Sequence, residues 1–116
     1  MSRTINAERR KQIANARATD PEALGPMLGE MVIAGNLPVE AVAALLGVSD
    51  VTVYRWMYGI VSPRDTVRTT KLRRLLVVLR KAQRANDLPL RGSMAERVKA
   101  VSRLVIAHRP TPKPTE

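Results

Sequence analysis

The stretch that most constrains the fold runs from Leu37 to Pro63, LPVEAVAALLGVSDVTVYRWMYGIVSP. It reads as two short helices joined by a tight turn. Pro38 suits a first helical position, where a missing N–H removes no bond. Val42, Leu45 and Leu46 face inward. Gly47 ends the first helix, because glycine takes the left-handed backbone without strain. Ser49 caps the second helix, whose last turn ends at Gly59. Ala43 is small enough for the two helices to approach. Val48 fills the corner, and Val53 with Trp56 locks the second helix inward.

The 116 residues make one domain with arms, and a hydrophobic fraction of 45% supports a modest core. There is no Phe, one Trp and two Tyr, so aliphatic side chains do the packing. Cysteine is absent, which removes disulfides, thiolate catalysis and thiolate metal sites together. The sole histidine, His108, makes no metal site on its own and reads as a helix-end residue near backbone carbonyls. No apolar run approaches the roughly 20 residues of a membrane span, and residues 1–17 are basic and polar, unlike an export signal. The cytoplasm is the expected compartment.

A net charge of +10 on so small a chain points to a polyanion. Its distribution says more than its total. Residues 1–20 carry +3, residues 21–63 carry −3, residues 64–91 carry +7 and residues 92–116 carry +3. The two-helix segment is therefore acidic, and any electrostatic grip lies in its flanks.

Elsewhere the pattern is helical throughout. Thr4 to Ala18 reads as a loosely docked helix or a basic arm that orders on contact, with a thin apolar face of Ile5, Ile13 and Ala14. Asp20-Pro21-Glu22 is a helix-start signal, and Gly25-Pro26 breaks or restarts the helix that follows. Leu24, Leu28, Met31 and Val32 keep one apolar face up to Gly35 or Asn36. Leu72, Leu75, Leu76, Leu79 and Ala82 predict a long helix over about 66–84, with Arg73, Arg80 and Arg84 on another side. Ser93 and Glu96 form a capping box before a last helix, whose apolar face is Met94, Val98, Val101 and Val105. That face either closes the core or pairs with a second copy. The proline-rich residues 109–116 predict a disordered tail.

Leu46-Gly47-Val48-Ser49, then Thr52-Val53, Arg55-Trp56 and Gly59, with Pro63 beyond, resemble the Xre-type helix-turn-helix family of phage repressor and Cro-like proteins. Counting neighbouring helices, the likeness covers about 24–79. Two departures stand out. Pro38-Val39 replaces the Thr-Gln or Ser-Gln with which the family contacts a phosphate, and the link from Pro63 to Leu72 is longer and carries Arg64, Arg68 and Lys71. The resemblance implies an all-α fold: a compact domain of about five helices containing a helix-turn-helix over 38–59. It has a basic arm or helix over 1–20, a DNA-binding unit over 21–86, an amphipathic helix over 87–108 that is a possible dimerisation element, and a tail.

The resemblance also implies that the outward residues of the second helix enter the major groove. Those are Asp50, Val51, Tyr54, Arg55 and Tyr58, flanked by Ser49 and Thr52. Arg55 is the best base reader, since its fork matches guanine O6 and N7. Val51 suits a thymine methyl, and Tyr54 a thymine methyl or a phosphate. Asp50 accepts from cytosine N4 or simply favours the helix N-terminus. Tyr58 contacts DNA or is a plain surface residue. Arg64, Arg68, Lys71, Arg73 and Arg80 grip phosphates, or keep a basic protein soluble. The expected partner is double-stranded DNA, bound by a homodimer with two half-sites about one helical turn apart. No cofactor, small-molecule ligand, metal or membrane is implied. Nothing resembles catalytic machinery: there is no internal His, carboxylate cluster or phosphate-cradling glycine loop. The resemblance implies a sequence-specific transcriptional regulator, a phage or prophage repressor-like protein, acting in the host cytoplasm or nucleoid. A small terminase subunit, or an antitoxin using the motif as scaffold, are the alternatives.

Overall fold

The computed structural model describes residues 6–108, which form six helices. They are α1 (Ala7–Thr19), α2 (Leu24–Gly35), α3 (Val39–Leu46), α4 (Asp50–Met57), α5 (Thr66–Arg84) and α6 (Met94–His108). The chain is all-α, with no strand among the described residues. None of these helices is long and apolar enough to cross a membrane. The expected tail over 109–116 and residues 1–5 of the basic segment lie outside the described residues.

Short polar side chains set where four helices begin. The Asn6 side chain accepts from the Arg9 N–H at 2.9 Å, Ser49 from Thr52 at 3.2 Å, Asp65 from Val67 at 2.8 Å and Ser93 from Glu96 at 3.2 Å. Each satisfies a donor that the first turn leaves unpaired. Of the two readings of the basic N-terminal segment, a helix is the one observed from Ala7 onward.

Helix α2 starts at Leu24, later than Asp20-Pro21-Glu22 suggested, and Gly25-Pro26 does not interrupt it. Both fall in its first turn, where a proline removes no intrahelical hydrogen bond. At its far end Asn36 takes a left-handed conformation (φ 53°), and the Leu37 N–H reaches back to the Val32 carbonyl at 3.0 Å.

The core is aliphatic, as the composition demands. Leu28, Val42, Leu46, Val53, Met57, Leu72, Leu79 and Val101 are buried, and Trp56 is packed among them. All five apolar residues of the α5 stripe are inside. Helix α2 packs on α4 at a close crossing. A methyl built on Gly25 would overlap the Trp56 carbonyl oxygen and lie 2.7 Å from its carbonyl carbon. One turn on, a Gly29 methyl would lie 3.2 Å from the Met57 carbonyl oxygen and 3.1 Å from Ile13. Ile13 is the single buried residue of α1, so α1 docks at this crossing.

Helix α6 packs on α5 and α3 and closes the core. Its expected strip is inward in part: Val101 is buried, and Met94 and Val105 are half-buried, Val105 against the core. Val98 is exposed, while Leu104 is buried beside Val101. The inward strip is 97–101–104–108, and polar contacts hold both ends of it. Arg97 Nη1 donates to the Asn36 carbonyl at 3.3 Å and to its side-chain oxygen at 3.0 Å. His108 is the last residue of α6, as expected of a helix-end residue, and its Nε2 meets Asp87 Oδ2 at 2.6 Å.

Replacing Gly25 by alanine tests the crossing. In an unconstrained helix interior the change would stabilise by up to about 1 kcal/mol. Here overpacking against backbone should destabilise by about 1–3 kcal/mol or more. Urea unfolding decides, and a gain in stability would mean the two backbones do not meet.

Candidate nucleic-acid interface

Helices α3 and α4 are joined by residues 47–49. Gly47 is left-handed (φ 70°), and the Val48 N–H closes the turn onto the Ala43 carbonyl at 3.1 Å. The turn is built as its residues suggested, with Leu46 buried before it and Val48 half-buried within it, but Leu45, expected to face inward with Val42 and Leu46, is exposed. Val53 and Trp56 then point inward.

The outward edge of α4 is narrower than expected. Tyr54 is 7% exposed and belongs to the core, which corrects its placement on the outer face. Helix α4 packs on both α2 and α3, and its covered face takes in Tyr54 together with Val53, Trp56 and Met57. Tyr58 is half-buried, stacked on Tyr54 with ring centroids 5.9 Å apart, and the Arg9 guanidinium lies over the Tyr58 ring, 4.7 Å from its centroid. Val51 and Arg55 remain exposed, one turn apart on the same edge.

The residues at the start of α4 are engaged in forming it. Ser49 Oγ accepts from the Thr52 N–H and lies 2.9 Å from Thr52 Oγ1. Asp50 is half-buried, and its carboxylate accepts from the Val51 N–H at 2.9 Å. Of the two readings of Asp50, this contact favours stabilisation of the helix N-terminus, where a negative charge meets the positive end of the dipole.

The flanking cations divide into two groups. Lys71 Nζ stands 3.9 Å from the position of a Gly47 Cβ, so α5 delivers a charge to the α3–α4 turn. Arg68 is one turn earlier on α5, and Arg64 precedes that helix. Arg73 and Arg80 lie elsewhere: at 3.6 residues per turn, Arg73 is rotated about 200° from Lys71 around α5. Arg80 reaches toward α2, with Nη2 3.6 Å from Met27 Sδ. The expected set of basic residues therefore occupies opposite edges of α5, and only the Arg64–Arg68–Lys71 group leads toward the turn.

Two ion pairs occur among the described residues, Arg17–Glu30 at 2.5 Å and His108–Asp87. Arg55, Arg64, Arg68, Lys71 and Arg73 take part in neither. All five are exposed, and none has a carboxylate within ion-pair distance among the described residues. No group of three or more His, Cys, Asp or Glu residues among those described is placed to hold a metal. Set against known families, curated proteins and solved structures, the chain matches none.

Arg9 is the residue that sequence reading passed over. It falls in a segment read only as generally basic, and nothing local to it signals that Tyr58 is its neighbour. The three aromatic residues of α4 and its exit, Tyr54, Trp56 and Tyr58, carried the available hint, since a guanidinium favours an aromatic face.

The cap at the head of this site has a measurable value. Ser49→Ala should lower stability by about 1 kcal/mol. Chemical denaturation reads the loss directly, and an unchanged midpoint would show that α4 starts without help from the hydroxyl.

Proposed function

We propose that this chain binds double-stranded DNA as a sequence-specific regulator and carries out no chemistry. Helix α4 lies in the major groove, Arg55 reads a base edge, and Val51 packs against a thymine methyl. Arg64, Arg68 and Lys71 hold the phosphates beside it. The observation that carries this reading is the combination of an exposed, ion-pair-free Arg55 on α4 with an exposed Lys71 delivered to the turn before it. The resemblance of Leu46–Gly59 to the Xre-type helix-turn-helix family points the same way. A guanidinium matches guanine bidentately, while a lysine beside the groove acts as a point charge on phosphate. A homodimer would place two such helices on half-sites one turn apart.

A second reading rests on a separate observation. Ile60, Val61 and Val67 in and after the α4–α5 link are 57%, 44% and 60% exposed. Ile60 and Val61 also lie at the end of α4, their N–H groups on the Arg55 carbonyl at 3.0 and 3.4 Å. Apolar side chains there suit contact with another protein, as in an antitoxin or a packaging subunit.

Selection of bound sequences from a random duplex pool separates the two. A regulator enriches one motif, with half-site symmetry if it is a dimer; no enrichment favours the protein-contact reading. With about six phosphates neutralised, log K against log salt should slope by roughly −5. Arg55→Ala should cost about 1–3 kcal/mol on the selected site and relax preference at one position, while Lys71→Ala should weaken all duplexes alike. If Arg55→Ala binds every duplex as the parent does, α4 is not the reading helix.

A further inference from the structure

We infer that α1 supplies a second phosphate clamp, with Arg9 as the contacting group and Tyr58 as the platform that positions it. The inference rests on the DNA-binding reading and extends the interface to an element with no counterpart in the two-helix motif.

Three contacts fix α1 against the exit of α4. Ile13 is buried beside Gly29 and near the Met57 carbonyl. A Cβ at Gly59 would stand 3.0 Å from the Ala16 Cβ, so α1 crosses the turn that ends α4. Arg17 pairs with Glu30 of α2. With the helix so held, Arg9 comes over the Tyr58 ring. Its Nη1 also donates to Gln12 at 2.9 Å, and it has no acidic partner in the ion pairs of the described residues. Arg10 and Lys11 are exposed next to it.

Tyr58 lies one turn beyond Arg55, at the end of the same edge that carries Val51. Lys71 stands at the opposite end, by Gly47. The eight residues of α4 span about 12 Å at 1.5 Å per residue. The major groove is about 12 Å wide. A helix of this length in that groove has a cation at each end: Lys71 before it and Arg9 after it. Each then meets the phosphate backbone at its own wall of the groove. The acidic α3–α4 segment needs such brackets, because its own residues supply only Arg55.

This assigns Tyr58 a positioning role in place of base contact. The aromatic face limits the rotamers of Arg9 and leaves its remaining donors for a phosphate.

The test is titration of a selected duplex at several salt concentrations with Arg9→Gln, Tyr58→Leu, Tyr58→Phe and the Arg9→Gln/Tyr58→Leu double variant. Arg9→Gln should bind about five- to tenfold more weakly at 0.1 M salt, with a slope shallower by about 1. Its order of sequence preference should match the parent's. Tyr58→Leu should reproduce the loss, the double variant should add little to it, and Tyr58→Phe should behave as the parent. Parent-like affinity and slope for Arg9→Gln, in a chain that binds duplex, would overturn the clamp and leave the DNA reading intact. So would a changed base preference in Tyr58→Phe, which would make the tyrosine a reader. Absence of duplex binding by the parent would overturn both.

Discussion

The crossing of α2 over α4 governs the rest of this structure. Gly25 and Gly29 let one helix backbone rest on the carbonyls of Trp56 and Met57. Contacts this close leave α4 no freedom to roll about its axis. Its roll decides which side chains are covered and which are offered to a partner. The same glycine step creates the notch that receives Ile13, so α1 is placed by the crossing as well. A larger residue at Gly25 would push against main chain, which has little room to give.

An eight-residue helix with four residues buried has little surface left for recognition. Ser49, Thr52 and Asp50 are engaged in starting it. What remains is an edge of Val51 and Arg55, bordered by Tyr58. The chain meets that shortage by bringing charge from outside: Lys71 from α5 and Arg9 from α1. This accounts physically for an acidic central segment within a strongly basic chain. The central segment folds, and the flanks supply the electrostatics. Positive charge held apart by separate helices also repels itself less than the same charge packed on one short helix.

Much of the fold was readable from local patterns, and the reason is in each case short-range. Gly47 as a left-handed stop, Ser49 and Ser93 as caps, and the Leu72–Ala82 stripe involve a residue and its neighbours within one or two turns. The misreadings have the opposite character. Val98 continues the apolar strip of α6, which was read as closing the core or pairing with a second copy, yet Val98 is exposed, while Arg97 and His108 are held by Asn36 and Asp87 from other segments. Tyr54 looked outward because the motif leaves that position open, yet α4 packs on both α2 and α3 and its covered face takes Tyr54 in. Lys71 and Arg73 were both expected on phosphates, and they are two residues apart. On a helix that spacing sends them to opposite sides.

By itself the sequence determined that this chain is helical, where most of its helices start and stop, and that Trp56 and Val53 point inward. Those outcomes follow from backbone preferences and periodicity, which act within a few residues. Only the tertiary structure decided which edge of α4 stays open, which cations stand beside it, and which face of α6 is buried. Those outcomes depend on contacts between residues far apart in the chain, and a linear pattern carries no record of which helix will come closest to which.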